Sequence, residues 1–382
     1  MLQRIYSVQD MTLEAIETPA LLLDAGKLEA NCRRMRERLQ QHGVVLRPHV
    51  KTAKSVEVTQ RALDAPSGAI TVSTVREAEY YFDHGFRDIL YAVGLVSSKV
   101  PRLAQLVRRG AQVRAIVDSV DGARELAVAS ARAGVRIPAL IEIDSDGHRA
   151  GVRPESPELL EVADALGDAL QGVMTHAGDS YNCSTVDAIR DVAARERDAV
   201  VSSAGALRRA GHTCSVVSVG STPTATFASD FAGVTEVRPG VYVFHDLVMA
   251  GLGVCRIEDI AISVLASVIG HQKEKSWVLV DAGWMALSRD RGTAKQRVDQ
   301  GYGLVCDAEG NPIEDLIVVD ANQEHGIVAR RGGGLLDLTR FPVGSLLRIL
   351  PNHACATAAQ HSEYHVLRDG EPAEVWDRFG GW

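Results

Sequence analysis

Leu46–Ser55 reads LRPHVKTAKS: a strand-like run closes at Pro48, and Lys51 follows almost at once, framed by His49 and a second lysine, Lys54. The layout repeats. VVLRP (44–48) is followed by AITVS (69–73), DILYAV (88–93), VRAIVD (113–118), ALIEID (139–144), GVMTH (172–176), SVVSVG (215–220) and TEVRPG (235–240), each a short apolar run closing on polar or turn-forming residues. Between them, Leu28–Gln40, Val75–Phe82, Val120–Ala133 and Ala188–Arg209 carry helix-forming residues with an apolar spacing of about 3.6. Strand then helix, repeated eight times, predicts parallel pairing. The repeats suit an α/β fold, a closed (β/α)8 barrel of the TIM type, which takes about 250 residues. An open doubly wound sheet is the rival reading.

After about Cys255 the texture changes to IAISVLASVIGH, SWVLVDAG, LIVVD, HGIVAR, SLLRILP and EYHVLRDG, punctuated by Gly, Asp and Pro, which reads as a second, β-rich C-terminal domain. The expected division is a barrel over residues 24–254 and a β-rich domain made of 1–23 and 255–382, with TPALLLD (18–24) as a strand that joins the latter. A chain of 382 residues exceeds what one core usually holds, so two domains are expected on length as well.

Composition excludes several classes of function. A net charge of −8 with no dominant Lys/Arg tract argues against nucleic acid. No run of about 18 uncharged apolar residues suggests a membrane span. The N-terminal stretch MLQRIYSVQDMTLEA lacks the layout of a secretory leader, and the six cysteines form no CxxC pair, so reduced thiols in a cytoplasm are expected. A small molecule is the expected partner.

In a barrel the chemistry gathers where strands end. Lys51 lies past VVLRP, His148 and Arg149 past ALIEID, His176 past GVMT, and Gly220, Ser221 and Thr222 past SVVSV. The GST turn follows the seventh strand and the RPGV turn, with Gly240 and Val241, the eighth, where barrels often bind phosphate through backbone N–H groups. A lysine in such a mouth condenses with a carbonyl if its setting frees the amine, and Arg47, His49 and Lys54 are close in sequence. Lysine, phosphate cradle and the aromatic-bearing loop His176–Tyr181 together point to pyridoxal phosphate.

TPALLLD, RPHVKTAKS, EIDSDGHRAG, THAGDSY, VSVGSTPT, RPGVYVFHD, DAGWMALSRDRG and PNHACAT resemble the D-serine dehydratase and D-threonine aldolase family, over nearly the whole chain from about Thr18. The resemblance implies an alanine-racemase-like barrel with a β-domain, a homodimer, pyridoxal 5'-phosphate on Lys51 as its Schiff-base lysine, and a divalent metal on His353 and Cys355. It also implies Arg149 near the cofactor's phenolic oxygen, His176 at the ring face, and Tyr181 near the pyridine nitrogen or the phosphate.

In an extended segment alternate residues share a face, so His353 and Cys355 would reach one ion together. Imidazole with thiolate favours Zn²⁺, with Mn²⁺, Co²⁺ or Mg²⁺ as alternatives. Lys51, displaced by the substrate amine, would take the α-proton while the metal turns the β-hydroxyl into a leaving group, a dehydration yielding an oxoacid and ammonia. The substrate would be D-serine or a 3-hydroxyaspartate. Gln323 and His325 in ANQEHG, and Trp284, Ser288, Arg289 and Arg291 in DAGWMALSRDRG, are further candidates, the arginines as forks for a substrate carboxylate. The main alternative is a D-threonine aldolase, whose branch of the family tends to carry aspartate where Cys355 stands. A racemase or a non-catalytic pyridoxal-binding protein would need no metal pair.

Overall fold

A computed structural model describes residues 12–382. The reading of the N-terminal stretch as no leader falls largely on residues 1–11, outside the described residues. The chain forms two compact units, one comprising the residues up to Asn31 with Val243–Gly380, the other Cys32–Tyr242 with the last two residues. The first strand, β1 (Ala20–Asp24), belongs to the former.

In the unit Cys32–Tyr242 the strands are β2 (Val45–Leu46), β3 (Ile70–Val72), β4 (Asp88–Gly94), β5 (Gln112–Val117), β6 (Ala139–Glu142), β7 (Leu170–Met174), β8 (Val216–Val219) and β9 (Glu236–Val237). They form one parallel sheet in which sequence neighbours are spatial neighbours and β9 lies beside β2. A parallel bridge between His49 and Thr71 joins the β2 segment to β3 and closes the ring. Every strand falls on one of the apolar runs, so the closed barrel holds and the open sheet does not. Local chemistry explains the joints: Thr74, Ser119 and Thr185 each cap the helix that follows, accepting from Glu77 N, Gly122 N and Ala188 N. Leu90, Ile116, Leu140 and Met174 pack as one interior cluster.

The barrel also holds buried charge. Arg47, 3% exposed, pairs with Glu236 at 2.7 Å and Asp88 at 2.9 Å, and Arg114 shares Asp88 at 2.8 Å. Such a network is tolerated in an interior because each charge meets its counter-charge and its donors find acceptors.

The other unit is built on β10 (Ile262–Gln272), β11 (Trp277–Val280), β12 (Leu304–Cys306), β13 (Pro312–Ala321), β14 (Gly326–Arg330), β15 (Leu346–Leu350), β16 (Glu363–Arg368) and β17 (Glu371–Asp377). With β1 they make a sheet in the order β11-β14-β13-β12-β15-β10-β1-β16-β17, and an added β10–β11 pairing closes six of the strands on themselves. All pairs are antiparallel except β1 with β16. Its core comprises Leu247, Ile260, Leu304, Cys306, Ile317 and Leu350 on one side, and Ile16, Ala20, Leu22, Leu265 and Leu367 on another.

Candidate active site

Pairing across the closed barrel seam fixes the lysine turn. Val50 N donates to Thr71 O and Lys54 N to Val50 O, both at 2.9 Å, which leaves Lys51 exposed at the end of β2. Its expected cationic neighbours are otherwise engaged. Arg47 belongs to the buried network with Glu236 and Asp88, and Lys54 pairs with the buried Glu77 at 3.3 Å. His49 is neutral, because burial and then the positive charges of Lys51 and Arg238 push its pKa well below the usual imidazole range. The cation that the sequence reading missed is Arg238, 4% exposed and hydrogen-bonded to Ser218 Oγ and the Thr175 carbonyl. Burial lowers its pKa, while Glu236, Glu196 and Glu142 oppose that shift. An arginine at the tip of an apolar run, just before Pro239-Gly240, was the available signal.

The turns after β7, β8 and β9 interlock. His176 hydrogen-bonds the Gly220 carbonyl through Nδ1 at 2.9 Å, so Nδ1 carries the proton and Nε2 is left as an acceptor. Burial leads in lowering its pKa to about 3, the Gly220 bond opposing and Lys51, Arg238 and Arg149 reinforcing. Gly220 has φ +137°, and a Cβ there would lie 2.6 Å from the Arg238 backbone nitrogen, so only glycine allows this approach. Ser221 caps the helix Thr222–Phe227 and meets Ser180 Oγ at 2.9 Å; Thr222 Oγ1 accepts from Tyr242 N at 3.3 Å. Gly240 packs on the lysine turn, where a Cβ would lie 3.1 Å from the His49 carbonyl, and Val241 follows it, buried.

Glu196 was also missed. It sits in the middle of the helix Val186–Arg209, 2% exposed, and its Oε1 accepts from Ala177 N and Gly220 N at 3.1 Å each. One carboxylate thus ties the His176 turn to the Gly220 turn. A glutamate at helical spacing among Val192, Ala193 and Val200 was the legible sign.

Arg149 reaches Glu142, at the end of β6, at 3.1 Å, with its own side chain 62% exposed. Its loop docks on the next one: Asp146 accepts from Asp179 N at 2.9 Å, and Gly178 sits so close that a Cβ would lie 2.2 Å from the His148 ring. Tyr181 ends up 6.2 Å from His176, ring to ring. Lys51, Arg149, His176, Tyr181, Gly220, Ser221, Thr222, Gly240 and Val241 therefore all lie on the C-terminal turns of the barrel.

In the other unit, His353 and Cys355 do not lie in one extended segment. His353 is extended, but it precedes the short helix Ala354–Ala358, in whose first turn Cys355 lies. Five residues offer too little period for the sequence to reveal a helix. The two side chains still meet: the ring hydrogen-bonds the Cys355 side chain, and His353 Nδ1 lies 2.6 Å from Asp290 Oδ2. Burial opposes protonation of His353, yet Asp290 and Cys355 outweigh it and raise its pKa; a side chain 42% exposed moderates both effects. The buried Asp246 fixes the same segment by accepting from Ala354 N at 2.9 Å.

The DAGWMALSRDRG stretch packs against the segment that carries that pair. Thr357 Oγ1 donates to Leu287 O at 2.8 Å, and Trp284 N and Met285 N donate to Asn322 O and Gln323 O, which brings the ANQEHG turn alongside. Among the described residues no cluster of three or more His, Cys, Asp or Glu side chains could hold a metal ion. An ion on His353 and Cys355 would therefore need further ligands from water or substrate.

The chain matches the model of the alanine racemase N-terminal domain over residues 23–247 and that of a serine dehydratase domain over 261–367. It is 52% identical to the D-threo-3-hydroxyaspartate dehydratase of Delftia sp. (strain HT23), over 97% of this chain and 99% of that one. The solved structure of that dehydratase superposes with a TM-score of 0.95 at 51% identity, covering 98% of this chain and 100% of the other, and one solved variant of it is a metal-free form. A D-serine dehydratase of Dictyostelium discoideum is 30% identical over 93% of this chain and 94% of its own. The D-threonine aldolase from Filomicrobium marinum is more distant, at 28% identity and a TM-score of 0.83 over 97% of this chain and 98% of that one. This chain belongs to the alanine-racemase-like family of pyridoxal-phosphate lyases that carry a serine dehydratase domain.

Proposed function

We propose that this chain is a dehydratase that removes the β-hydroxyl of a D-3-hydroxy amino acid, D-threo-3-hydroxyaspartate or D-serine, to give an oxoacid and ammonia, using pyridoxal phosphate and a divalent metal. The observation that carries this reading is the imidazole–thiol pair of His353 and Cys355, braced by Asp290, in a chain whose barrel presents Lys51.

The residues present fit both groups. An exposed amine on Lys51, Arg149 and Arg238 nearby, and a neutral His176 suit an anionic aromatic aldehyde; the Nδ1 atom of His49, buried and without a hydrogen-bond partner among the described residues, adds a polar group among the same residues. His353 and Cys355 pair a borderline and a soft donor, a set that suits Zn²⁺ and accepts Mn²⁺ or Co²⁺. When bound, pyridoxal phosphate would supply an electron sink for negative charge at Cα, and the metal a Lewis acid for the departing hydroxyl.

The chain's own residues would do the rest. Lys51 would hold the cofactor and later carry the α-proton. Arg149 would steady the cofactor's phenolic oxygen, His176 would cover the ring, Tyr181 would approach the pyridine nitrogen or phosphate, and the turns Gly220–Thr222 and Gly240–Val241 would take the phosphate. His353 and Cys355 would hold the ion. We infer a cytoplasmic homodimer; no helix among the described residues is long and apolar enough to cross a membrane.

The test is to incubate the purified protein with D-serine, D-threonine and D-threo-3-hydroxyaspartate, with and without a chelator, and to assay oxoacid, ammonia and aldehyde. Oxoacid with ammonia, lost on chelation and restored by Zn²⁺ or Mn²⁺, is the expected result. Glycine with an aldehyde would make the protein an aldolase.

A further inference from the structure

We propose that Arg289 reads the distal carboxylate of the substrate and so sets a preference for a 3-hydroxyaspartate over D-serine. The inference rests on the reading above, in which the β-hydroxyl is held at His353 and Cys355.

Substrate chemistry limits where that carboxylate can go. In 3-hydroxyaspartate one carbon bears both the hydroxyl and the second carboxylate, whereas D-serine has hydrogen there. The carboxylate carbon is two bonds from the hydroxyl oxygen, so a hydroxyl anchored at His353 and Cys355 brings the carboxylate beside the same residues. The carboxylates of Asp290 and Asp246 already stand there, Asp290 2.6 Å from the His353 ring and Asp246 bonded to Ala354 N. The ion held by His353 and Cys355 would offset part of that charge, and a guanidinium adds the paired donors that a second carboxylate takes.

The segment offers two arginines, and the structure separates them. Arg291 is committed: it pairs with Asp299 at 2.7 Å and lies over the Tyr302 ring. Arg289, the residue before Asp290, is exposed, and among the described residues it pairs with no carboxylate. Its guanidinium carbon lies 5.1 Å from the centroid of the Trp284 ring. A guanidinium supported by a ring keeps its N–H donors uncommitted and therefore available to a carboxylate fork.

The support is anchored at both ends. Trp284 N donates to Asn322 O at 2.9 Å, and a Cβ on Gly283 would lie 2.3 Å from the Gln323 carbonyl, so the start of the helix Trp284–Leu287 is pressed onto the 322–325 turn. Its far end is tied to the segment carrying Cys355 through Thr357 Oγ1 and the Leu287 carbonyl at 2.8 Å. The helix that carries Trp284 is thereby held against the segment that carries His353 and Cys355, and Arg289 follows that helix by two residues.

The experiment compares wild type, Arg289→Gln, Arg289→Lys and Arg291→Gln as holoenzymes with the metal added. For each, kcat/KM is measured for D-threo-3-hydroxyaspartate and for D-serine. The dissociation constants of D-aspartate and D-alanine, which bear no β-hydroxyl to lose, are measured from the cofactor's absorbance. Wild type is expected to favour the dicarboxylate in both pairs. Arg289→Gln is expected to reduce that preference by about 30-fold or more, the usual effect of losing a hydrogen-bonded charge pair, with Arg289→Lys in between and Arg291→Gln close to wild type. Parity in the wild type, or an Arg289→Gln ratio that stays put in both pairs, overturns the assignment. A wild type that releases oxoacid from neither substrate defeats the proposed function instead, and with it the hydroxyl anchoring on which the Arg289 assignment rests.

Discussion

The Asp290 carboxylate holds the His353 imidazole through Nδ1 at 2.6 Å. That bond orients the ring, and in the proposed metal-loaded protein it would keep the proton on Nδ1 and present Nε2 to the ion, the arrangement in which a carboxylate behind a histidine strengthens it as a ligand. Replacing Asp290 with alanine is expected to weaken binding of Zn²⁺ or Mn²⁺ by about 10–100-fold, with a smaller loss in Asp290→Asn, which keeps an acceptor. Competition with a chelator measures it; equal affinity in all three proteins would show that the bond does not serve the metal.

Glu196 offers a second test. Its Oε1 satisfies two buried backbone donors, Ala177 N and Gly220 N. Glu196→Ala is expected to destabilise the protein by about 2–4 kcal/mol and to lower its affinity for pyridoxal phosphate, whereas Glu196→Gln, which retains an acceptor oxygen, loses much less. Denaturant midpoints and fluorimetric titration of the cofactor give both quantities. If the alanine variant matches wild type in both, the two turns are held by something else.

A third expectation concerns pH. The folded chain keeps His176 neutral down to about 3, among Lys51, Arg238 and Arg149, while the unfolded chain protonates it near about 6.5. The unfolded state therefore binds the proton first as pH falls. The stability associated with the depressed value is present above about 6.5 and is lost as pH drops toward 3. His176→Phe is expected to flatten the fall in melting temperature of the cofactor-free protein between about pH 7.5 and about pH 5.5. Identical slopes for the two proteins would assign the acid sensitivity to other groups.

Gly220 supplies a fourth. With φ at +137° and the Arg238 nitrogen 2.6 Å from where a Cβ would go, Gly220→Ala combines backbone strain with a collision. About 1–3 kcal/mol of destabilisation is expected from the strain alone, together with weaker cofactor binding, because the Gly220 carbonyl also holds His176. A variant with wild-type melting and wild-type cofactor affinity would mean that the turn relaxes freely.

The amino-acid sequence by itself determined the barrel, because eight apolar runs each closing on polar or turn-forming residues are local patterns that backbone sterics and burial translate directly into strands. It also put Lys51, His176 and the Gly220 turn at strand ends, where the order of elements along the chain is enough to place them on one rim. Only the tertiary structure decided which charges meet. Arg238 finds Ser218 and the Thr175 carbonyl, Glu196 finds two turns, and Asp290 finds His353 across 63 residues of chain. It likewise moved Cys355 onto a short helix and separated the committed Arg291 from the uncommitted Arg289. A hydrogen bond between residues far apart in the chain depends on how distant segments pack, and no period or spacing within a segment encodes it.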